Sequence, residues 1–192
     1  HCQVYAGVER ETPRTTQAAR ETRGELLVSG PAGAEALVDT VYSASCGGHS
    51  EDNDLTWGTR PDPILRGRLD VLGPPPRALA PFAGRIDDAQ VATFLDVTAG
   101  PGRGPHCGRQ PSAQASFRWT TRVSADTLRE RLGPLGALRE VRVLARGASG
   151  RAIRLLVQGS AGTREVQGEL EIRRAFGGLR SALFVLTPER SV

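Results

Sequence analysis

Glu140 to Val166 reads EVRVLARGASGRAIRLLVQGSAGTREV, and its alternation decides the fold. Glu140, Arg142 and Arg146 alternate with Val141, Val143 and Ala145, the two-residue period of a half-buried strand, with only Leu144 out of step. Gly147-Ala148-Ser149-Gly150 supplies turn chemistry, so the chain doubles back through Ala152 to Gln158. Gly159 to Gly162 turns it again into a third strand around Arg164 to Val166. Connections this short join antiparallel neighbours, because a parallel pair needs a crossover of about a dozen residues. The segment is therefore a β-meander with mostly polar outer faces.

Working outward, Glu169 to Phe176 reads as a helix that ends at Gly177-Gly178, followed by a last strand, Ala182 to Leu186. Upstream, Phe117, Trp119 and Thr121 fit one face of a strand, and Ser124 caps a helix through Leu132. Asp87 or Asp88 caps a helix to about Leu95 with Val91, Phe94 and Leu95 as its apolar face; Gly100 to Pro111 is a loop. Pro61 to Gly84, with three consecutive prolines at Pro74 to Pro76, is irregular. At the start, a helix over Thr15 to Arg23 stops at Gly24, and a short strand (Leu26 to Val28) turns through Gly30 to Gly33 into a second, Ala34 to Tyr42. Strands outnumber helices in this reading. It predicts an α+β fold, a largely antiparallel or mixed sheet with a few short helices. The 192 residues suit one domain in three stretches, 1–60, a loop-rich 61–115 with one helix, and 116–192.

Composition narrows the function. With 39% hydrophobic residues and no apolar run near the ~18 residues of a membrane span, no transmembrane helix is expected. All 25 basic residues are arginine, which together with abundant Ala, Gly and Pro points to GC-rich coding. The net charge of +4 is scattered and aromatics are 5%, unlike the concentrated basic footprint of a nucleic-acid domain. A mildly basic surface suits an anionic polymer such as a bacterial wall.

One loop concentrates unusual residues: Val41 to Gly58, VYSASCGGHSEDNDLTWG. A glycine pair directly after a strand implies an unusual turn or a close backbone approach. Cysteines and histidines fall together as His1-Cys2, Cys46 with His49, and His106-Cys107. Thiolate and imidazole are zinc ligands, so a metal site is one reading. The other is a Cys46–Cys107 disulfide, worth about 4 kcal/mol for a loop of this length, with Cys2 left over. Glu51, beside Asp52 and Asp54, reads as part of a solvated acidic loop, because a hydrated cluster gives no reason for one carboxyl to be desolvated. Ser45 lacks a positioned base, His49 being only its neighbour in sequence.

The order of motifs resembles the stage II sporulation protein D family, whose relatives include the amidase enhancer LytB. The resemblance runs from CQVY at Cys2 through T-x-x-A-x-x-x-T-x-G (Thr15 to Gly24) to VYSASCGGHSED with Trp57 downstream. It continues with FRW (Phe117 to Trp119), R-x-x-SGR (Arg146 to Arg151) and G-x-x-x-x-R-R-x-x-x-G-L-R-S-x-x-F (Gly168 to Phe184). It covers nearly the whole chain.

The resemblance implies work on bacterial peptidoglycan: a secreted or envelope protein that binds glycan strands and cleaves them as a lytic transglycosylase. There, one carboxylic acid protonates the glycosidic oxygen and the sugar's own 6-hydroxyl closes an anhydro ring. The family's glutamate precedes a helix of the EALKAQAVAARTYA type, which this sequence lacks, so the acid, like any export signal, is expected upstream of His1. No catalytic residue is assigned within the chain. Tyr42, Ser43, Ser45, Gly47 and Gly48 are expected to line the glycan groove. No cofactor is required, though His1 and Cys2 would form part of an incomplete zinc site; the family's cysteine just upstream, a metal ligand or a disulfide partner, would give Cys2 its missing partner. The alternative is a non-catalytic wall-binding activator of an amidase partner.

Overall fold

A computed structural model describes residues 7–58, 60–100, 104–109 and 117–189, and the chain divides into two units, 1–42 and 43–192. In the first unit, α1 (Pro13–Glu21) starts at a reciprocal cap: Thr15 N donates to the Thr12 hydroxyl, and Thr12 N donates to the Thr15 hydroxyl. Pro13 sits in the first turn, where its missing N–H costs nothing. The strands β1 (Val28–Ser29) and β2 (Ala36–Leu37) pair antiparallel, Val28 opposite Leu37. The expected strand to Tyr42 is cut to two residues. Leu26, Leu27, Val28 and Leu37 are all exposed, so no buried face rewards a longer ladder.

The second unit holds the core. In order come α2 (Asn53–Trp57), a 3-10 turn at Ala80–Phe82, α3 (Val91–Val97), α4 (His106–Arg109) and α5 (Ala125–Leu132). Then follow β3 (Leu138–Arg146), β4 (Ala152–Gly159), β5 (Thr163–Gln167) and α6 (Glu169–Ala175). Ser124 caps α5 as expected, its hydroxyl accepting from Thr127 N at 3.2 Å. The meander forms where the alternation places it: β3, β4 and β5 are consecutive antiparallel neighbours, with Val141 opposite Val157 and Leu155 opposite Val166. The fold is α+β, with two small antiparallel sheets of two and three strands and six α-helices among the described residues. Helices thus outnumber strands. The difference arises because residues read as loop at 53–57 and 106–109 form short helices, while two expected strands make no ladder.

One of those is Phe117 to Thr121. A strand there would send Arg118 to the polar face, but its guanidinium turns inward and donates to backbone carbonyls (below), which breaks the alternation. The other is Ala182 to Leu186, where Ala152 N donates to Ala182 O at 2.9 Å and no strand is formed. This segment instead joins two cores. Ala182 and Phe184 belong to the cluster of Leu128, Leu155, Val157, Val166, Ile172 and Phe176 between the sheet, α5 and α6. Leu183 belongs to the cluster of Leu69, Leu79, Phe82, Ile86, Val91 and Phe94. Alternate residues of an extended segment face opposite ways, so one short stretch serves both. No helix among the described residues is long and apolar enough to cross a membrane.

Candidate functional site

The loop that follows residue 42 is built inward, onto the protein. Gly47 (φ 68°) and Gly48 (φ 100°) both occupy the positive-φ region that favours glycine. A Cβ on Gly48 would stand 2.8 Å from Pro105 Cγ and 3.1 Å from Phe94 Cζ; one on Gly47 would stand 3.2 Å from Leu183 Cδ2. The close approach expected of this glycine pair is thus made to the unit's own interior.

The loop's four carbonyls at 46–49 are all satisfied, three of them by arginine. Arg151 donates through Nη2 to Cys46 O (2.8 Å) and through Nη1 to His49 O (3.0 Å). Arg118 donates through Nη1 to Gly47 O (3.1 Å), and Asp70 N donates to Gly48 O (3.0 Å). Arg118 also reaches Leu95 O and the Thr98 hydroxyl, and stacks over Phe117 with its Cζ 3.9 Å from the ring centre. Burial pulls its pKa down to about 10. His49 is fully buried, Nδ1 2.7 Å from Ser50 O and Nε2 2.8 Å from Gly84 O. Its ring is committed to the backbone. The Ser45 hydroxyl accepts from Gly47 N at 3.2 Å, and nothing positions His49 as its base.

Glu51 is not part of a solvated face. Its carboxylate accepts from Asp52 N (2.9 Å), Ala148 N (2.7 Å), Ser149 N (3.3 Å) and the Ser149 hydroxyl (2.6 Å), so it braces the loop against the turn between β3 and β4. Asp52 accepts from Gly67 N at 2.7 Å, and Asp54 pairs with Arg66 at 2.6 Å. The sequence puts these acids in one hydrated cluster; in the structure Glu51 is drawn to the β3–β4 turn, while Asp52 and Asp54 share Arg66.

Cys46 and Cys107 meet, their sulfurs 2.9 Å apart as two thiols, although they are 61 positions apart in the chain. The sulfur–sulfur hydrogen bond holds the Cys107 thiol below its ordinary range and the Cys46 thiol above it. Asp70 joins them: Cys107 N donates to its Oδ2 at 2.7 Å, and the three ligand atoms lie within 4.8 Å of one another. Two thiolates at ~2.3 Å from a tetrahedral zinc stand about 3.8 Å apart. The present spacing therefore suits a direct sulfur–sulfur pair better than a shared ion. His106 supplies no fourth ligand through Nε2, which accepts from Leu72 N at 3.0 Å.

Of the residues the sequence singles out, Ser43 is exposed, Ser45 and Gly47 are half-buried and Gly48 is buried, all in the second unit. Tyr42, 69% exposed, closes the first unit. His1 and Cys2 lie outside the described residues. Sequence reasoning missed Asp70, the inward role of Arg118 and the bracing by Glu51. The only signal was the FRW and SGR motifs, which carry Arg118 and Arg151.

A family model described as a domain of unknown function (DUF8618) matches residues 51–192, more than half of the chain. No curated protein and no solved structure matches it.

Proposed function

The chain belongs to the DUF8618 family, whose description assigns no activity, and we propose a function from the site and the motifs that build it. The chain holds peptidoglycan glycan strands, in an extracytoplasmic protein that cuts them as a lytic transglycosylase. One observation carries the reading: motifs of the sporulation protein D resemblance, far apart in sequence, meet on the Cys46–Glu51 loop. Arg151 and Ser149 of the SGR turn and Arg118 of FRW hydrogen-bond to it, and Leu183 of the closing segment takes up the space a side chain on Gly47 would need. Chance matches have no reason to pack on one another; parts of one built surface do. The loop is held rigid before any ligand arrives, which lowers the entropic cost of binding, and Ser43 offers an exposed hydroxyl to sugar oxygens.

A second reading, the amidase activator, draws on the carboxylates. Glu51, Asp52, Asp54 and Asp70 are each engaged by N–H, hydroxyl or guanidinium donors. A general acid must reach the glycosidic oxygen with a proton to give, so the enzyme reading takes its glutamate from the family's N-terminal portion. The test is to incubate the full-length protein, and this chain alone, with amidase-treated glycan strands. Anhydro-muramyl ends from the full-length protein only are expected. No such ends, with amidase hydrolysis increased, supports the activator; neither effect contradicts both readings.

A further inference from the structure

Two guanidinium groups stand on the Cys46 loop with no carboxylate to balance them. Arg118 spends its donors on the carbonyls of Gly47, Leu95 and Phe117 and on the Thr98 hydroxyl, and Arg151 on those of Cys46 and His49. Carbonyls are neutral, so both positive charges persist, and among the described residues neither arginine forms an ion pair. The groups that can supply a negative charge beside Arg118 are sulfurs: its guanidinium interacts electrostatically with both Cys46 and Cys107. Those sulfurs are 2.9 Å apart and half-buried rather than sealed. Partly exposed, electropositive surroundings are where thiolates form and react, whereas inert structural cysteines lie enclosed in apolar ones. We propose that Cys46 and Cys107 are a reactive dithiol, a site for exchange with an incoming disulfide, rather than a pair that merely packs.

The pair ionises as a unit. Whichever thiol gives up its proton, the other S–H donates to the thiolate across 2.9 Å, so the first proton leaves more readily than from a lone cysteine and the second less readily. The lowered Cys107 and the raised Cys46 follow that split. Asp70 opposes ionisation, because one of its carboxylate oxygens lies within 4.8 Å of both sulfurs. His106 brings no charge: Leu72 N donates to its Nε2 at 3.0 Å, so the ring is neutral. The thiolate attacks a disulfide R–S–S–R, forms a mixed disulfide and expels RS⁻. The second thiol, once deprotonated, attacks the protein sulfur of that bond and expels the other RS⁻. The two protons of the dithiol end on the two expelled thiolates. The dithiol is oxidised, the incoming disulfide is reduced, and the product ties the loop to α4.

The inference does not depend on the glycan reading. The test follows the reaction of the full chain with oxidised glutathione as a function of pH, folded and unfolded in urea, with Cys2→Ser so that only this pair reacts. The unfolded chain should show a rate midpoint near the ordinary thiol pKa of about 8.5. The folded protein is expected to have its midpoint about one pH unit lower and to yield the internal bond with no glutathione retained. Asp70→Asn, which removes the opposing charge, should lower the midpoint further, again by about one pH unit. Arg118→Gln should raise it and Arg118→Lys restore it, a dependence on charge that packing alone would not produce. A folded midpoint at or above that of the unfolded chain overturns the proposal. So does an Asp70→Asn profile that superimposes on the parent's, an arm that decides the matter even where Arg118→Gln does not fold. Two glutathione adducts per chain in place of the internal bond would overturn the pairing.

Discussion

Gly48 shows how much one residue carries. Its φ of 100° strains any side chain, and the space a Cβ needs is taken by Pro105 and Phe94. Gly48→Ala is expected to destabilise the protein by about 3 kcal/mol, combining positive-φ strain with overpacking, measured as the shift in urea midpoint. A change under 1 kcal/mol, roughly the cost of an unstrained surface substitution, would contradict this geometry. That the glycine pair mattered was legible in the sequence; what it approached was not, because Pro105 and Phe94 are brought there only by folding. Asp70 gave no signal at all, lying in a proline-rich stretch that reads as irregular. Burial pushes its pKa up, but hydrogen bonds from Cys107 N–H and the two thiols more than offset this and hold it below the usual aspartate value. The folded state therefore releases this proton more readily than the unfolded chain. Its stabilisation is full above an unfolded aspartate's pKa of about 3.9 and is lost as pH falls through the lower folded value. Asp70→Asn removes that contribution. Its stability should fall less than the parent's between about pH 5 and pH 2; parallel pH profiles would contradict the assignment.

At the level of elements, legibility followed local periodicity. The meander and α5 were legible because a period of two and a serine cap are properties of neighbouring residues. Phe117–Thr121 alternates in the same way and Ala182–Leu186 is a short apolar run, yet neither forms a ladder, because their neighbours are fixed by distant partners: Arg118 by Gly47 and Leu95, Leu183 by the second core. The helices at 53–57 and 106–109 were hidden by their acidic and glycine-rich composition. In β4, the middle strand of the sheet, Leu155 is fully buried. Leu155→Ala should cost about 3 kcal/mol through lost transfer energy and a cavity, whereas Leu156→Ala, on the half-buried opposite face, should cost clearly less. Equal midpoint shifts for the two in urea would contradict the register.

For the molecule as a whole, the Cys46–Cys107 contact spans 61 positions and joins the loop to α4. With Cys2 replaced by serine to prevent side reactions, oxidised glutathione should convert the two thiols to a disulfide. That bond should raise stability over the reduced protein by about 4 kcal/mol on the chain-entropy account; two thiols still titratable after oxidation would contradict it. The sequence left disulfide and metal open because spacing alone does not say which sulfurs meet. The proposed surface for glycan strands is the loop with its arginine clamps. It is tested most directly by co-sedimenting the protein with amidase-stripped peptidoglycan. The account predicts that the protein pellets with the wall material and is released by soluble stripped strands. Protein that stays in the supernatant, with or without stem peptides on the wall, would contradict it.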